Sequence, residues 1–289
     1  MDIKYYLEKI KKQTDSLLER YLPDESLEPV ILHKAMRYST LAGGKRLRPI
    51  LAYTAYEYCG GETEGDDLPI HYAMAALEMV HTYSLIHDDL PCMDDDDLRR
   101  GMPTCHKKFG TAAAVLAGDA LHDIAFNLIA STGSTSVVVE LAHALGTSGM
   151  IGGQMADVEA EGKDVTKEDI INIHTRKTGA LIRASVRIGA ILAGANDDTM
   201  DKLTKYAEKI GLAFQIIDDI LDVEGDTETL GKNVGADDEH KKATYPRAVG
   251  METAKADAQK LITDAVALVN EYDNNVLIHL ARFIGERNK

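Results

Sequence analysis

Apolar positions recur along most of this chain at the three- and four-residue steps of a helix face. Residues 2 to 20 place Ile3, Tyr6, Leu7, Ile10, Leu17 and Leu18 on one such face, and Pro23 ends the run. A second helix is predicted over 27 to 41, closing at Gly43 and Gly44, with Pro49 suited to the first turn of the next. Residues 66 to 90 form a long helical pattern rich in Ala, Met and Leu. Further helices are predicted near 111 to 130, 135 to 149, 166 to 193, 198 to 223, 252 to 271 and 274 to 286. Strand-like alternation is nearly absent, since the short VVVE at 137 lies in a helical context. The pattern predicts an all-α fold, too large for a simple four-helix bundle.

Composition adds limits to this picture. The seven prolines are scattered and no Gly/Ser-rich or repeated stretch interrupts the helices, so 1–289 reads as a single domain. Hydrophobic residues at 45% supply a core, and aromatics at 6% with no Trp imply helices packed through Ala, Leu, Ile and Met. A net charge of −15 argues against nucleic acid as a partner, because phosphate backbones are bound through clustered Lys and Arg. Anion binding then falls to local basic clusters or bridging cations. Cys59, Cys92 and Cys105 cannot pair fully and lack metal-ligand spacing, which fits a reduced compartment. The start, MDIKYYLEKIKKQTD, is an amphipathic charged helix rather than a signal peptide. No apolar run approaches the roughly 18 residues needed to span a membrane. The expectation is a soluble, cytoplasmic protein without membrane contact.

The chemistry concentrates in aspartates. HTYSLIHDDLPCMDDDDLRR, from His81 to Arg100, holds six aspartates within ten residues, at 88, 89 and 94 to 97. A second cluster, Asp218, Asp219 and Asp222, sits in FQIIDDILDV. Four residues separate Asp218 from Asp222, which puts both on one helical face among apolar neighbours. Unpaired carboxylates at the edge of a core cost several kcal/mol or neutralise, so positive charge is required there. In the first cluster, Asp88 and Asp94 stand about 240° apart on a straight helix. If Pro91 ends the helix and the chain folds back, Asp94 joins Asp88; a straight helix pairs Asp88 with Asp95 instead. An acidic run is ordinarily a solvated loop, but two with apolar flanks favour a hard cation. Carboxylate-only donors suit magnesium, whose remaining positions go to water and substrate phosphates. EF-hand, P-loop and dinucleotide-binding signatures are absent.

HDDLPCMDDDDLRRG, LAGGKRLRP, HTRKTG and DDILDVEGDTETLGK together resemble the short-chain trans-polyprenyl diphosphate synthase family, nearest to its bacterial farnesyl diphosphate synthase branch. The resemblance runs from about residue 30 to the C-terminus, with the motifs in the family's order. It implies the all-helical isoprenoid synthase fold around a central cleft, a homodimer, and head-to-tail condensation of isopentenyl diphosphate with dimethylallyl and then geranyl diphosphate. It further implies that Asp88, Asp94 and Asp218, with Asp89 and Asp222, hold magnesium, roughly two or three ions per site, bridging the allylic diphosphate. Arg99 faces that diphosphate and Arg100 the isopentenyl one. Gly44, Lys45, Arg48 and His81 resemble the isopentenyl diphosphate pocket, the three-residue spacing of Lys45 and Arg48 suiting one anion. Lys177, Thr178, Gln215, Lys232 and Lys242 match positions that hold the allylic diphosphate, with Lys177 and Lys232 also counted as catalytic. Asp95, Asp96 and Asp97 are left as solvated residues.

Chain length is read from Tyr83, five residues before Asp88 and about 7.5 Å along the helix, with Ser84 beside it. By resemblance a bulky aromatic at Tyr83 closes the pocket for the growing prenyl tail; ordinary core packing is the competing account. That aromatic, together with the two-residue insertion in DDLPCMD, implies a farnesyl synthase. A geranylgeranyl diphosphate synthase is the near alternative. A terpene cyclase would not need GGKRLRP, and a noncatalytic regulatory subunit would be expected to lose motif residues that are all present in this chain.

Overall fold

The computed structural model describes residues 2–163, 165–224, 244–270 and 275–286. Helices dominate: α1 (Ile3–Tyr21), α2 (Val30–Thr40), α3 (Leu47–Tyr58), α4 (Pro69–Asp88), α5 (Cys105–Phe109), α6 (Thr111–Ser131), α7 (Thr135–Leu145), α8 (Met150–Ala160), α9 (Lys167–His174), α10 (Ala180–Leu192), α11 (Asp197–Glu224), α12 (Tyr245–Val249), α13 (Met251–Leu268) and α14 (Val276–Gly285). A π-helical turn, Thr175–Gly179, joins α9 to α10, and a two-stranded hairpin pairs Leu98–Arg99 with Met102–Pro103. The fold is all-α, as predicted.

By internal contacts the chain divides into two compact units. One takes Lys4–Tyr53 and Glu62–Val138; the other takes residues 2–3, Thr54–Gly61 and the described residues from Val139 onwards. The first is built on α4, which has Pro69 at its start and is buried on every side from Ile70 to Ile86, as expected of a helix apolar all round. Its main partner is α6, whose Ala114, Ala117, Gly118, Leu121 and Ala125 are buried. The helices come so close that a Cβ on Gly118 would fall on the His87 ring. By length and composition α6 is long and apolar enough to cross a membrane. That corrects the expectation that no run reached that length; in the structure its buried side serves as core.

The second unit is organised on α11, which packs on α13 and α10 and buries Leu203, Tyr206, Ile210, Ile216, Ile217 and Ile220. Where one helix is predicted over 166 to 193, the chain makes α9, the π turn and α10. The run predicted over 135 to 149 stops at Leu145, and α8, which the periodicity did not separate, follows Gly149. Its glycines let it lie on the π turn: a Cβ on Gly153 would collide with the Lys177 amide.

Candidate active site

The end of α4 resolves the choice between Asp94 and Asp95. After Asp88 the chain turns over Pro91 and returns, so that the Asp94 amide donates to the Asp88 carbonyl at 2.9 Å. Asp94 is therefore the residue joined to Asp88. Asp95, at φ +48°, points away, 3.6 Å from the Lys107 ammonium and 3.5 Å from the His106 ring. Asp97 is exposed and pairs with Lys107 at 2.7 Å, an interaction that holds its carboxyl below the usual range.

Asp89 takes a different part from Asp88. It is buried, and both its oxygens accept from the Arg99 Nε, at 2.7 and 2.9 Å. The side chain expected beside the metals is thus paired with Arg99 in this structure. Burial pushes its carboxyl up against the opposing pull of that guanidinium. Burial likewise works against the Arg99 charge, but the Asp89 hydrogen bond and charge outweigh it.

Arg99 ends the first hairpin strand, and Arg100 and Gly101 form the turn, both at positive φ (+55° and +74°). Such a turn matches the twist of paired strands and ordinarily carries Asn or Gly. Arg100 thus holds a conformation that costs a non-glycine residue on the order of 1 kcal/mol. It is aimed at GGKRLRP: Nη1 donates to the Gly43 carbonyl, and a Cβ on Gly44 would lie 2.9 Å from the guanidinium carbon. Gly44, at φ +137°, is there both for its backbone and for its lack of a side chain.

Lys45 lies before α3 and Arg48 in its first turn, so helical spacing does not describe their relation. Arg46, to which the sequence pattern assigned no role, holds the loop. It is 2% exposed, sits at φ +51°, and donates to Asp15 and Glu78 at 2.8 Å each and to the Thr40 carbonyl at 2.9 Å. His81 lies half-buried among this charge. Desolvation, then Arg48, Arg100, Arg99 and Arg46, hold its pKa well below the ordinary imidazole range.

Tyr83 points from α4 to α6. Its ring meets the His122 ring edge-on at 5.2 Å and the His87 ring at 5.7 Å, and the His122 ring lies tilted against Phe126 at 4.8 Å. Its hydroxyl is buried without a hydrogen-bond partner among the described residues, and burial pushes it up to about 12. Ser84 instead donates back to the His81 carbonyl at 2.8 Å.

In the second unit, α9 opens with a capping box made by Thr166 and Asp169 and delivers the TRKTG turn. Lys177 is half-buried and donates to Asp157 of α8 at 2.6 Å; Arg176 bonds the Thr147 carbonyl at 2.8 Å. Thr178, also half-buried, follows on the same turn. On α11, Gln215 and Asp218 are half-buried, one turn apart, whereas Asp219 and Asp222 are buried. Asp219, likewise without a role in the sequence pattern, accepts from the His174 ring at 3.0 Å and from the Tyr245 amide at 2.7 Å. Lys232 and Lys242 lie outside the described residues.

Among the described residues no three His, Cys, Asp or Glu side chains converge as a closed metal cage. The donors are oxygens supplied in pairs, which fits a magnesium ion that leaves most of its positions to water and phosphate.

An all-helical molecule whose aspartate motifs are accompanied by a buried Arg46, an Arg99 paired with Asp89 and a glycine loop docked on Arg100 is of the isoprenyl-transferring class. The family model described as polyprenyl synthetase matches residues 29–280. The chain is 47% identical to the farnesyl diphosphate synthase of Escherichia coli (strain K12), over the whole of both chains. It is 48% identical to the heterodimeric geranylgeranyl pyrophosphate synthase large subunit 1 of Arabidopsis thaliana, over 90% of this chain and 73% of that one. An FPP/GFPP synthase from Zymomonas mobilis superposes with a TM-score of 0.85 at 36% identity, covering 98% of this chain and 99% of that one. The geranylgeranyl pyrophosphate synthetase of Pyrococcus horikoshii does so at 0.85 and 31%, covering 99% and 100%. The chain belongs to the polyprenyl synthetase family and is a prenyltransferase of the short-chain prenyl diphosphate synthase kind.

Proposed function

We propose that the protein is a magnesium-dependent farnesyl diphosphate synthase, which condenses isopentenyl diphosphate with dimethylallyl diphosphate and then with geranyl diphosphate to release the C15 product. The observation that carries the choice of length is Tyr83, buried five residues before Asp88 and braced edge-on by His122. We assign the Tyr83 ring, set edge-on against His122 with Phe126 beyond it, to stopping the growing chain at C15.

We assign Asp88 and Asp94 of the first motif, and Asp218 and Asp222 of the second, to magnesium. Magnesium held there would draw charge from the allylic diphosphate and so favour ionisation of its carbon to oxygen bond. The remaining roles belong to the chain. Arg99, aimed by Asp89, and Lys177, Thr178 and Gln215 orient the allylic diphosphate, with Lys232 and Lys242 assigned there by family position. Gly44, Lys45, Arg48, His81 and Arg100 receive isopentenyl diphosphate; a neutral His81 offers a hydrogen bond without adding to the surrounding positive charge. We further read the protein as cytoplasmic, acting as a homodimer whose two copies pack as one enzyme. The exposed Val115 and Leu116 on the apolar α6 favour such pairing.

The relatives include geranylgeranyl synthases at similar identity, which keeps a C20 product as the second reading. Purified protein given labelled isopentenyl diphosphate, magnesium and each of three allylic primers decides it by product chromatography. Mainly C15 supports the proposal and mainly C20 overturns it. Absence of turnover by the protein alone would favour a subunit that needs a partner.

A further inference from the structure

Five side chains in the second unit close a circuit around α9. At the start of that helix, the Lys167 ammonium lies 2.8 Å from an Asp257 oxygen, which also accepts from the Tyr245 hydroxyl at 2.8 Å. At its end, the His174 Nε2 lies 3.0 Å from Asp219 Oδ2, and the same oxygen accepts from the Tyr245 amide at 2.7 Å. Because a carboxylate only accepts, the His174 Nε2 carries the proton. Tyr245 is thus gripped at both ends, and α9 is tied at both ends to the same short segment. His174 and Asp219 are 6% and 7% exposed, so water does little to weaken these bonds.

The π turn that presents Lys177 and Thr178 starts at the residue after His174. α11 touches that turn a second time, where Gly211 backs onto Gly179, an added Cβ coming within 3.3 Å of the Gly179 Cα. The π turn thus meets α11 near both of its ends, through the Asp219–His174 hydrogen bond just before it and the close approach of Gly211 to Gly179 at its last residue. In the first motif the corresponding second aspartate, Asp89, is likewise buried and occupied, by Arg99.

We propose that Asp219 is a positioning residue, which locks His174 and the Tyr245 amide so that the TRKTG turn holds its place before the allylic diphosphate, and that it is not a magnesium ligand. This rests on the proposed assignment of TRKTG to the allylic diphosphate.

The experiment compares Asp219→Asn, His174→Asn and their double variant in steady-state assays at saturating magnesium, with Asp218→Asn as the metal-ligand reference. Each single variant should raise the KM for the allylic diphosphate on the order of tenfold while the KM for isopentenyl diphosphate and the magnesium concentration for half-activity stay within about twofold. The double variant should be no worse than the poorer single one, because both remove the same bond. A magnesium requirement in Asp219→Asn that rises as in Asp218→Asn, additive losses in the double variant, or a lowered Tm with both KM values unchanged would each overturn the proposal. Hydrogen exchange at the Tyr245 amide, in protein free of magnesium and substrate, provides a readout independent of turnover. Asp219→Ala should speed it, and unchanged exchange would refute the clamp. If the wild type transfers no prenyl group the assignment of the site fails, and the exchange result still judges the clamp.

Discussion

Tyr83 carries both a stability argument and a specificity argument, and they come apart on substitution. Its ring fills space against His122 and His87, while its hydroxyl is buried without a partner among the described residues. A buried unsatisfied hydroxyl costs roughly 1–3 kcal/mol, so Tyr83→Phe should be neutral or stabilising and should leave the product at C15. Tyr83→Ala removes the ring, should cost about 3 kcal/mol or more, and should shift product towards C20, as read by chromatography. Unchanged length in Tyr83→Ala would reduce the residue to packing. His81, two residues earlier, sets a pH dependence. Its folded pKa lies well below the ordinary value because of desolvation and the arginines around it. As pH falls below about 6.5, the unfolded chain takes a proton at this residue that the folded chain refuses. The stability it contributes is therefore full above that pH and is lost as pH falls towards the depressed folded value. Between pH 7.5 and 5.5 the Tm of the wild type should fall further than that of His81→Gln, and equal slopes would contradict that sign.

Among the elements, the π turn depends on what α8 does not have. A methyl group on Gly153 would meet the Lys177 amide, which is backbone and yields only if the turn moves. Overpacking of this kind costs about 1–3 kcal/mol, and a displacement of an ångström at a binding group lowers rates by up to roughly 10²-fold. Gly153→Ala should therefore lower Tm and raise the allylic KM together; a stable variant with wild-type KM would separate α8 from the site. Periodicity made the long helices legible, because α4, α6 and α11 repeat apolar residues over five or more turns. It did not reveal the π turn, because Thr-Arg-Lys-Thr keeps the helical phase nearly intact and only the extra residue in the turn alters it. The choice between Asp94 and Asp95 was equally beyond it, since a backbone bond from Asp94 to Asp88 makes that choice. Arg46 and Asp219 were given no role by the sequence pattern. Their partners stand 31, 32 and 45 residues away, a distance at which no local pattern reports a buried pair.

For the molecule as a whole, the stability question is where the metal enters. A structural ion would tie together three or more protein ligands, and no such group occurs among the described residues. The core is carried by apolar helices, from α4 in one unit to α11 in the other. Magnesium removal should therefore abolish prenyl transfer without unfolding the protein. An ion that takes one or two carboxylates and otherwise relies on phosphate oxygens binds weakly until the diphosphate arrives. Anything that binds only the folded state stabilises it by RT ln(1 + [L]/Kd), about 2.7 kcal/mol at a hundredfold excess over Kd. Each kcal/mol raises Tm by roughly 2–4 °C in a chain of about this size. Scanning calorimetry should thus give nearly the same Tm in EDTA and in millimolar magnesium, and a rise of several degrees when magnesium and an unreactive allylic diphosphate analogue are added together. A large loss of Tm in EDTA alone would mean that the ion is part of the fold. A full rise with the analogue in EDTA would mean that the basic residues bind the diphosphate without it.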